Sequence, residues 1–241
     1  MGSTKSRPLR DANGTPKFRH ESIACVFRVH PQQGVDVLTV IRSRPPYADM
    51  SALPSGALET NEMLKDACLR HLYLSGVHPS MVSHIEQLDT RSAIDRDPYD
   101  RTIATAHLCL IPWDIDPSVT NGSFTPLVDL DELAFDHKNI IEQGLYRLRA
   151  KLSYSNIGFA LAPRLFTISD LAKTYSHVLT YNVSPTNLQR ILTRRNQLQP
   201  TTARAIGSGR PARLFTFTTD RLEITDPFAT LKPTESRKCK S

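Results

Sequence analysis

The stretch from Phe166 to Phe217 restricts this chain more than any other. FTISDLAKTYSHVL reads as a helix capped at Thr167 or Ser169, and NVSPTNLQRILTRRNQL as a second helix with Pro185 in its first turn. TTARAIGSGRPARLFTF follows as two short strands around a Gly-rich, Arg-rich tip. Leu188, Ile191, Leu192, Leu198, Leu214 and Phe215 supply the apolar positions such a unit needs for a core.

Charge separates this part of the chain from the rest. Residues 138–217 carry 12 Lys or Arg against two acids, Glu142 and Asp170, although the net charge of all 241 residues is only +6. A basic module attached to a net acidic one suits contact with a polyanion. Helix, helix, hairpin is the order of a winged helix, whose second helix enters the major groove of DNA. Thr186, Asn187, Gln189 and Arg190 fall in its first turn, where such side chains reach base edges. Arg194 and Arg195 lie one turn on, within reach of phosphates, and Arg204, Arg210 and Arg213 bracket the glycines of the tip.

The preceding residues read as a separate α/β unit. MGSTKSRPLRDANGTPKFRH is polar and reads as a loose tail. SIACVFRVH and VDVLTVIRS are β-branched strands around the turn PQQG, LKDACLRHLYLS is a helix stopped by Gly76, and TIATAHLCLIPW is a well-covered strand. A long helix containing Ile140, Ile141, Leu145, Leu148 and Leu152 joins the two compositions. The expected division is a tail at 1–19, an α/β unit with the joint helix at 20–154, a winged helix at 155–228 and a second tail at 229–241. Cys25, Cys68 and Cys109 sit among apolar neighbours, as core residues of a reduced, cytoplasmic protein would. No apolar stretch approaches membrane-spanning length, so no membrane partner is expected.

Several segments together carry a resemblance. LAFDHKNIIEQGLYRLRAKLSY, FALAPRLFTISDLAKTYSHVL, NLQRILTRRNQLQPT and GSGRPARLFTF, with DRDPYDRTIATAHLCLIP upstream, are similar in order and spacing to the Nudix-related transcriptional regulators (NrtR) that control NAD metabolism. The resemblance covers most of residues 20–218. It implies an α+β fold, a Nudix-like α/β/α sandwich with a mixed sheet followed by a winged helix-turn-helix. It also implies a homodimer on double-stranded operator DNA, repression of NAD biosynthesis genes, and ADP-ribose or NAD as an effector, with no cofactor required.

Active hydrolases of the Nudix superfamily carry a glycine, a glutamate after five residues, an arginine after seven more, then a glutamate, an apolar residue, any residue and two further glutamates. In SGALETNEMLKDACLRHLYLSGV, Gly56, Glu62 and Arg70 match, but His71, Leu74 and Ser75 stand at the three later glutamate positions. Pyrophosphate hydrolysis needs hard cations held mainly by carboxylates, and this set cannot rebuild that cluster. No catalytic or metal site is expected, and the domain reads as a sensor. Glu62 and Arg70 read as a structural pair and His71 as a solvated or capped histidine. By resemblance, the loop RSRPPYADMSALPSG flanks the effector, with Arg42 and Arg44 for phosphate, Tyr47 either to stack on a base or simply to cover the core, and Arg70 nearby. Asp95, Arg96, Asp97 and Arg101 either orient the effector or join two subunits, or, on the simpler and preferred reading, form surface ion pairs. The alternative is an ADP-ribose pyrophosphatase with a basic appendage, for which Glu86, Asp95 or Asp97 would have to replace the missing carboxylates.

Overall fold

A computed structural model describes residues 10–205 and 211–225 of the chain. Arg10 and Pro16 are bridged across a small turn in which the Asp11 carboxylate accepts from the backbone N–H of Asn13 and Thr15. Residues 10–16 are thus a closed turn, where composition pointed to a loose tail. Residues 1–9 and the expected tail at 229–241 lie outside the described residues.

The elements run β1 (Arg19–His30), β2 (Gly34–Ile41), β3 (Ser51–Ala52), β4 (Ser55–Ala57), α1 (Leu64–Leu74), β5 (His84–Arg91), β6 (Thr102–Ile111), β7 (Gly122–Pro126) and α2 (His137–Tyr154). Then come α3 (Ile168–Leu179), α4 (Pro185–Arg194), β8 (Leu198–Arg204) and β9 (Arg213–Phe217). The first seven strands form one mixed sheet in the order β3-β2-β1-β6-β5, with β4 also on β1 and β7 on β2. β1 and β6 are parallel and the other pairs antiparallel.

Continuous apolar runs in β1 and β6 follow from burial on both faces. Ile23, Cys25, Phe27 and Val29 point to one side, where α2 covers them with Ile140, Ile141, Leu148 and Leu152. Ala24 and Val26 point to the other, where α1 supplies Cys68 and Leu72. The helix α1 ends at Gly76, whose φ of +92° and close approach to the Ser118 carbonyl favour a residue without a Cβ. Gly144 lets α2 lie against the sheet, because a Cβ there would meet the Phe27 ring at 2.9 Å and Cys25 Sγ at 3.1 Å. The joint helix is therefore also a layer of the sandwich.

The C-terminal unit is built as its caps and proline require. Thr167 Oγ1 accepts from the Asp170 N–H at the start of α3, and Ser184 caps α4 with Pro185 at its first position. Thr180, at φ +60°, turns the chain between the two helices. The strands β8 and β9 form the hairpin, and a bridge between Phe166 and Phe215 attaches it to the segment before α3. An α+β sandwich followed by a winged helix is the architecture that the order of segments implied.

The tight contact at Gly144 gives a direct expectation. Gly144→Val forces methyl groups into space held by Phe27, and overpacking of this kind costs about 1–3 kcal/mol. A urea titration should show a lower midpoint with an unchanged slope.

Candidate functional site

A cleft of about 640 Å³ opens where the start of β1, the end of β2 and the C-terminal end of α1 come together. Its size falls within the range of small-molecule sites. Three arginines, Arg19, Arg42 and Arg44, line it with two acids, Glu21 and Asp97. Asn121, Ser75 and Phe135 also face it.

Phe135 organises one wall. The Arg42 guanidinium lies 4.6 Å from its ring centroid, that of Arg96 lies 5.5 Å away, and Tyr47 meets it edge-on at 4.9 Å. Arg42 is held in place by its Nε–H donating to the Pro46 carbonyl at 3.0 Å, within a loop closed by paired backbone hydrogen bonds between Arg42 and Asp49 or Met50. Burial pushes the pKa of Arg42 down from its ordinary value, and the nearby Glu21 and Asp97 oppose that shift. Behind Phe135, His137 is buried and its Nδ1 accepts from the Leu53 N–H at 2.9 Å. Burial and the nearby Arg96 lower the His137 pKa to about 3, so it is neutral at physiological pH.

Among the expected effector contacts, Arg42 and Arg44 line the cleft but Tyr47 and Arg70 do not. Tyr47 is spent on Phe135. Arg70 is held by Glu62 through Nε–Oε2 at 2.9 Å and Nη2–Oε1 at 2.5 Å, and it also donates to the Ala57 carbonyl. The Glu62 carboxylate further accepts from the Glu59 N–H at 2.8 Å. Hydrogen bonds from Arg70, then from Glu59, lower the Glu62 pKa to about 2.

His71 corrects a second expectation. It is half-buried, lines the cleft and packs directly on Gly56, where any Cβ would lie 2.1 Å from its ring. Its Nε2 lies 3.1 Å from the Ala57 carbonyl, and burial lowers its pKa. Ser75 donates to the His71 carbonyl and caps α1, while Leu74 is exposed at the rim. The positions that carry glutamates in hydrolases thus hold a packed imidazole, a capping hydroxyl and an apolar side chain.

Nor do the other acids assemble a cation site. Glu86 is engaged by His84, Arg147 and Lys151 on the α2 side of the sheet. Asp97 faces the cleft, yet its oxygens accept from the Tyr99 and Asp100 N–H groups and the Thr102 hydroxyl. Asp95 is exposed on its loop. No group of three or more His, Cys, Asp or Glu suited to a metal occurs among the described residues. A hydrolytic Mg²⁺ therefore does not fit the residues present.

The Asp95–Arg101 segment is also less superficial than surface ion pairs would be. The Arg96 side chain is 1 % exposed and lies 3.1 Å from Asp136 and 3.8 Å from Glu21. Arg101 lies over Phe18 and donates to the Ala93 carbonyl. Sequence reasoning missed Phe135, Arg19, Glu21 and Asn121, because a single aromatic before a helix and charged strand ends look the same whether or not a cleft opens beside them.

The second candidate surface is on α4 and the hairpin. Leu188 and Leu192 are buried, which turns Thr186, Asn187, Gln189, Arg190 and Arg194 outward. Arg190 donates to the Asn187 side-chain oxygen at 2.8 Å, fixing these two side chains together. Arg204 and Arg213 are exposed and face each other across the hairpin, and Arg210 lies outside the described residues. No acid occurs between Asp170 and Asp220. Arg195 departs from expectation: it donates to the Ser153 carbonyl at 3.0 Å and ties α4 to the end of α2.

Residues 158–217 match the family model described as the NrtR DNA-binding winged helix domain. The chain is 25 % identical over 198 residues to the ADPR responsive transcriptional repressor NtrR of Acinetobacter baylyi, covering 80 % of this chain and 79 % of that protein. Shewanella oneidensis NrtR crystallised with a 27mer DNA is similar at 28 % identity and a TM-score of 0.74, covering 82 % of this chain and 93 % of the other. A MutT/nudix family protein of Enterococcus faecalis shares the fold at 20 % identity and a TM-score of 0.71, over 87 % and 91 % of the two chains. No helix among the described residues is long and apolar enough to cross a membrane.

The Glu62–Arg70 pair makes stability depend on pH. A carboxylate held at about 2 in the folded protein, against an ordinary 4.5, stabilises fully above about 4.5 and loses that contribution as pH falls toward 2. Urea midpoints of the native protein and Glu62→Gln should differ most at neutral pH and converge as pH falls through this window.

Proposed function

From a chain that is an NrtR-like, Nudix-related transcriptional regulator with a winged-helix domain, we propose a repressor of NAD biosynthesis genes that binds operator DNA as a homodimer. ADP-ribose or NAD, held in the cleft, changes its affinity for DNA. The division between residues 154 and 155 separates the sensing part from the reading part in this proposal.

One observation carries the DNA reading. The helix α4 buries Leu188 and Leu192 and presents Thr186, Asn187, Gln189 and Arg190 on its first two turns, beside exposed arginines with no acid in the surrounding stretch. Asn and Gln pair with adenine edges and Arg with guanine edges or phosphate. A two-fold assembly would set two such helices on a palindrome about one helical turn apart. The likeness to a regulator solved with DNA supports this use of the surface.

For the cleft, Arg42, Arg44 and Arg19 suit a pyrophosphate and Phe135 suits a base or ribose face. The name of the Acinetobacter relative, which is ADPR responsive, supports an effector of that class. With Glu62 neutralised by Arg70 and no carboxylate cluster beside it among the described residues, the nucleotide is bound and not cleaved. The helix α2 offers one route between the sites, since Phe135 and His137 stand at the cleft end and Ser153 meets Arg195 of α4 at the other.

The test is binding of the purified protein to duplexes from its own upstream region and from NAD-biosynthesis promoters, at fixed salt, with and without ADP-ribose or NAD. Sequence-specific binding altered by one nucleotide is expected. Equally weak binding to every duplex, with Mg²⁺-dependent turnover of ADP-ribose, would return the protein to the pyrophosphatase class. Arg194→Ala should weaken binding to all duplexes and lower the slope of log K against log salt by about 1. Asn187→Ala should instead cost about 1–3 kcal/mol at one base position and relax the preference there.

A further inference from the structure

The two ends of one β-hairpin lie at the two sites. Arg19 and Glu21 at the start of β1, and Val40 and Ile41 at the end of β2, line the cleft. The connection between these strands, Pro31 to Gly34, lies against α3, the first helix of the winged unit. At about 3.3 Å per residue, the strand from Glu21 to Pro31 spans about 33 Å. Both strands are buried for most of their length; β1 is bonded to β6 from Arg19 to Arg28 and to β2 from Phe27 to His30, and β2 continues toward the cleft beside β7 and β3.

The contact at the far end is specific and polar. His177 Nε2 lies 3.1 Å from the Pro31 carbonyl, and so donates to it. The Gln32 side-chain amide donates to Asp170 Oδ1 at 3.4 Å. Asp170 and His177 stand seven residues apart on α3, two helical turns along one face, so the turn grips the helix at both ends. Gly34, at φ +107°, lies beside His177, where a Cβ would sit in ordinary contact 3.8 Å from Nδ1. Asp170 also closes the cap of α3 with Thr167, so the same carboxylate serves the turn and the helix start.

We infer that the β1–β2 hairpin is a coupling strut: its open end senses what occupies the cleft, and its closed end sets the position of α3 through Pro31–His177 and Gln32–Asp170. A change at Arg19, Glu21, Val40 or Ile41 is carried along each strand to the turn, because both strands are hydrogen-bonded into the sheet and paired with each other next to the turn, and close-packed layers transmit displacement. The helix α3 packs on α4, so its movement re-aims the reading helix. The strut acts in parallel with α2, and it differs in meeting α3 at Asp170 and His177, where α2 meets the winged unit at Val178 and Arg195. This inference rests on the proposal that a nucleotide in the cleft alters DNA binding.

The experiment measures DNA affinity with and without ADP-ribose for the native protein, for Gln32→Ala with His177→Leu, and for Arg149→Met. The last removes the bond from Arg149 Nε to the Val178 carbonyl, a contact of α2 with α3 that leaves the hairpin turn intact. The strut predicts that the ratio of the two DNA affinities moves at least threefold toward 1 in the hairpin variant, while its ADP-ribose affinity without DNA stays within about twofold of native. A native-like ratio in that variant, or an equal loss in Arg149→Met, overturns the strut while leaving the proposed function standing. A ratio of 1 in the native protein overturns both. Should the hairpin variant fold poorly, hydrogen exchange on the native protein decides the matter. ADP-ribose should change exchange at 32–34 and 177–179, and a response confined to the cleft would overturn the inference.

Discussion

One apolar core holds both halves of the chain together. It runs from Phe27 and Leu108 on the sheet, through Leu148 and Leu152 of α2 and the buried turn at Ile157 to Ala160, to Leu171, Tyr175, Leu188 and Phe215 of the winged unit. A reading domain tethered by a loose linker would be indifferent to the state of its neighbour. A winged unit whose core is continuous with one face of the sheet cannot be, because displacement of one packed layer disturbs contacts in the next. Polar contacts at its margin, His177 to Pro31, Arg149 to Val178 and Arg195 to Ser153, then fix the direction in which that unit sits.

The cleft is the other half of this arrangement. Arg42 and Arg44 line its wall and Arg19 is paired there with Glu21, while Glu62, the acid retained from the hydrolase pattern, is held by Arg70. Glu62 receives three hydrogen bonds, two from Arg70 and one from the Glu59 N–H, which stabilise its anion without any metal. His71 fills the space over Gly56, where any Cβ would meet its ring. The proposed binding without turnover rests on where these charges are spent.

Much of this was legible in the sequence. The cap at Thr167, Pro185 at the start of α4, and the apolar runs of β1 and β6 each have a local cause, and each element formed where its pattern pointed. The loss of three glutamates after Arg70 could also be read directly. Contacts between distant segments could not. Phe135 gains its role from Arg42, Arg96 and Tyr47, which approach from other loops. Arg70 and Arg195 carry the residue type for anion contact, but three-dimensional neighbours had claimed their guanidinium groups. Arg96 looked like a surface charge because flanking acids are common on surfaces, and only the fold reveals that it is enclosed.

The account's central claim is that the cleft and the α4 surface belong to one thermodynamic system. The most direct test is to titrate ADP-ribose calorimetrically into the protein alone and into its complex with specific duplex DNA. Linkage requires that DNA change the ADP-ribose affinity by the same factor by which ADP-ribose changes the DNA affinity. The account predicts two different ADP-ribose affinities whose ratio matches that factor. Identical ADP-ribose binding to free and DNA-bound protein would contradict it.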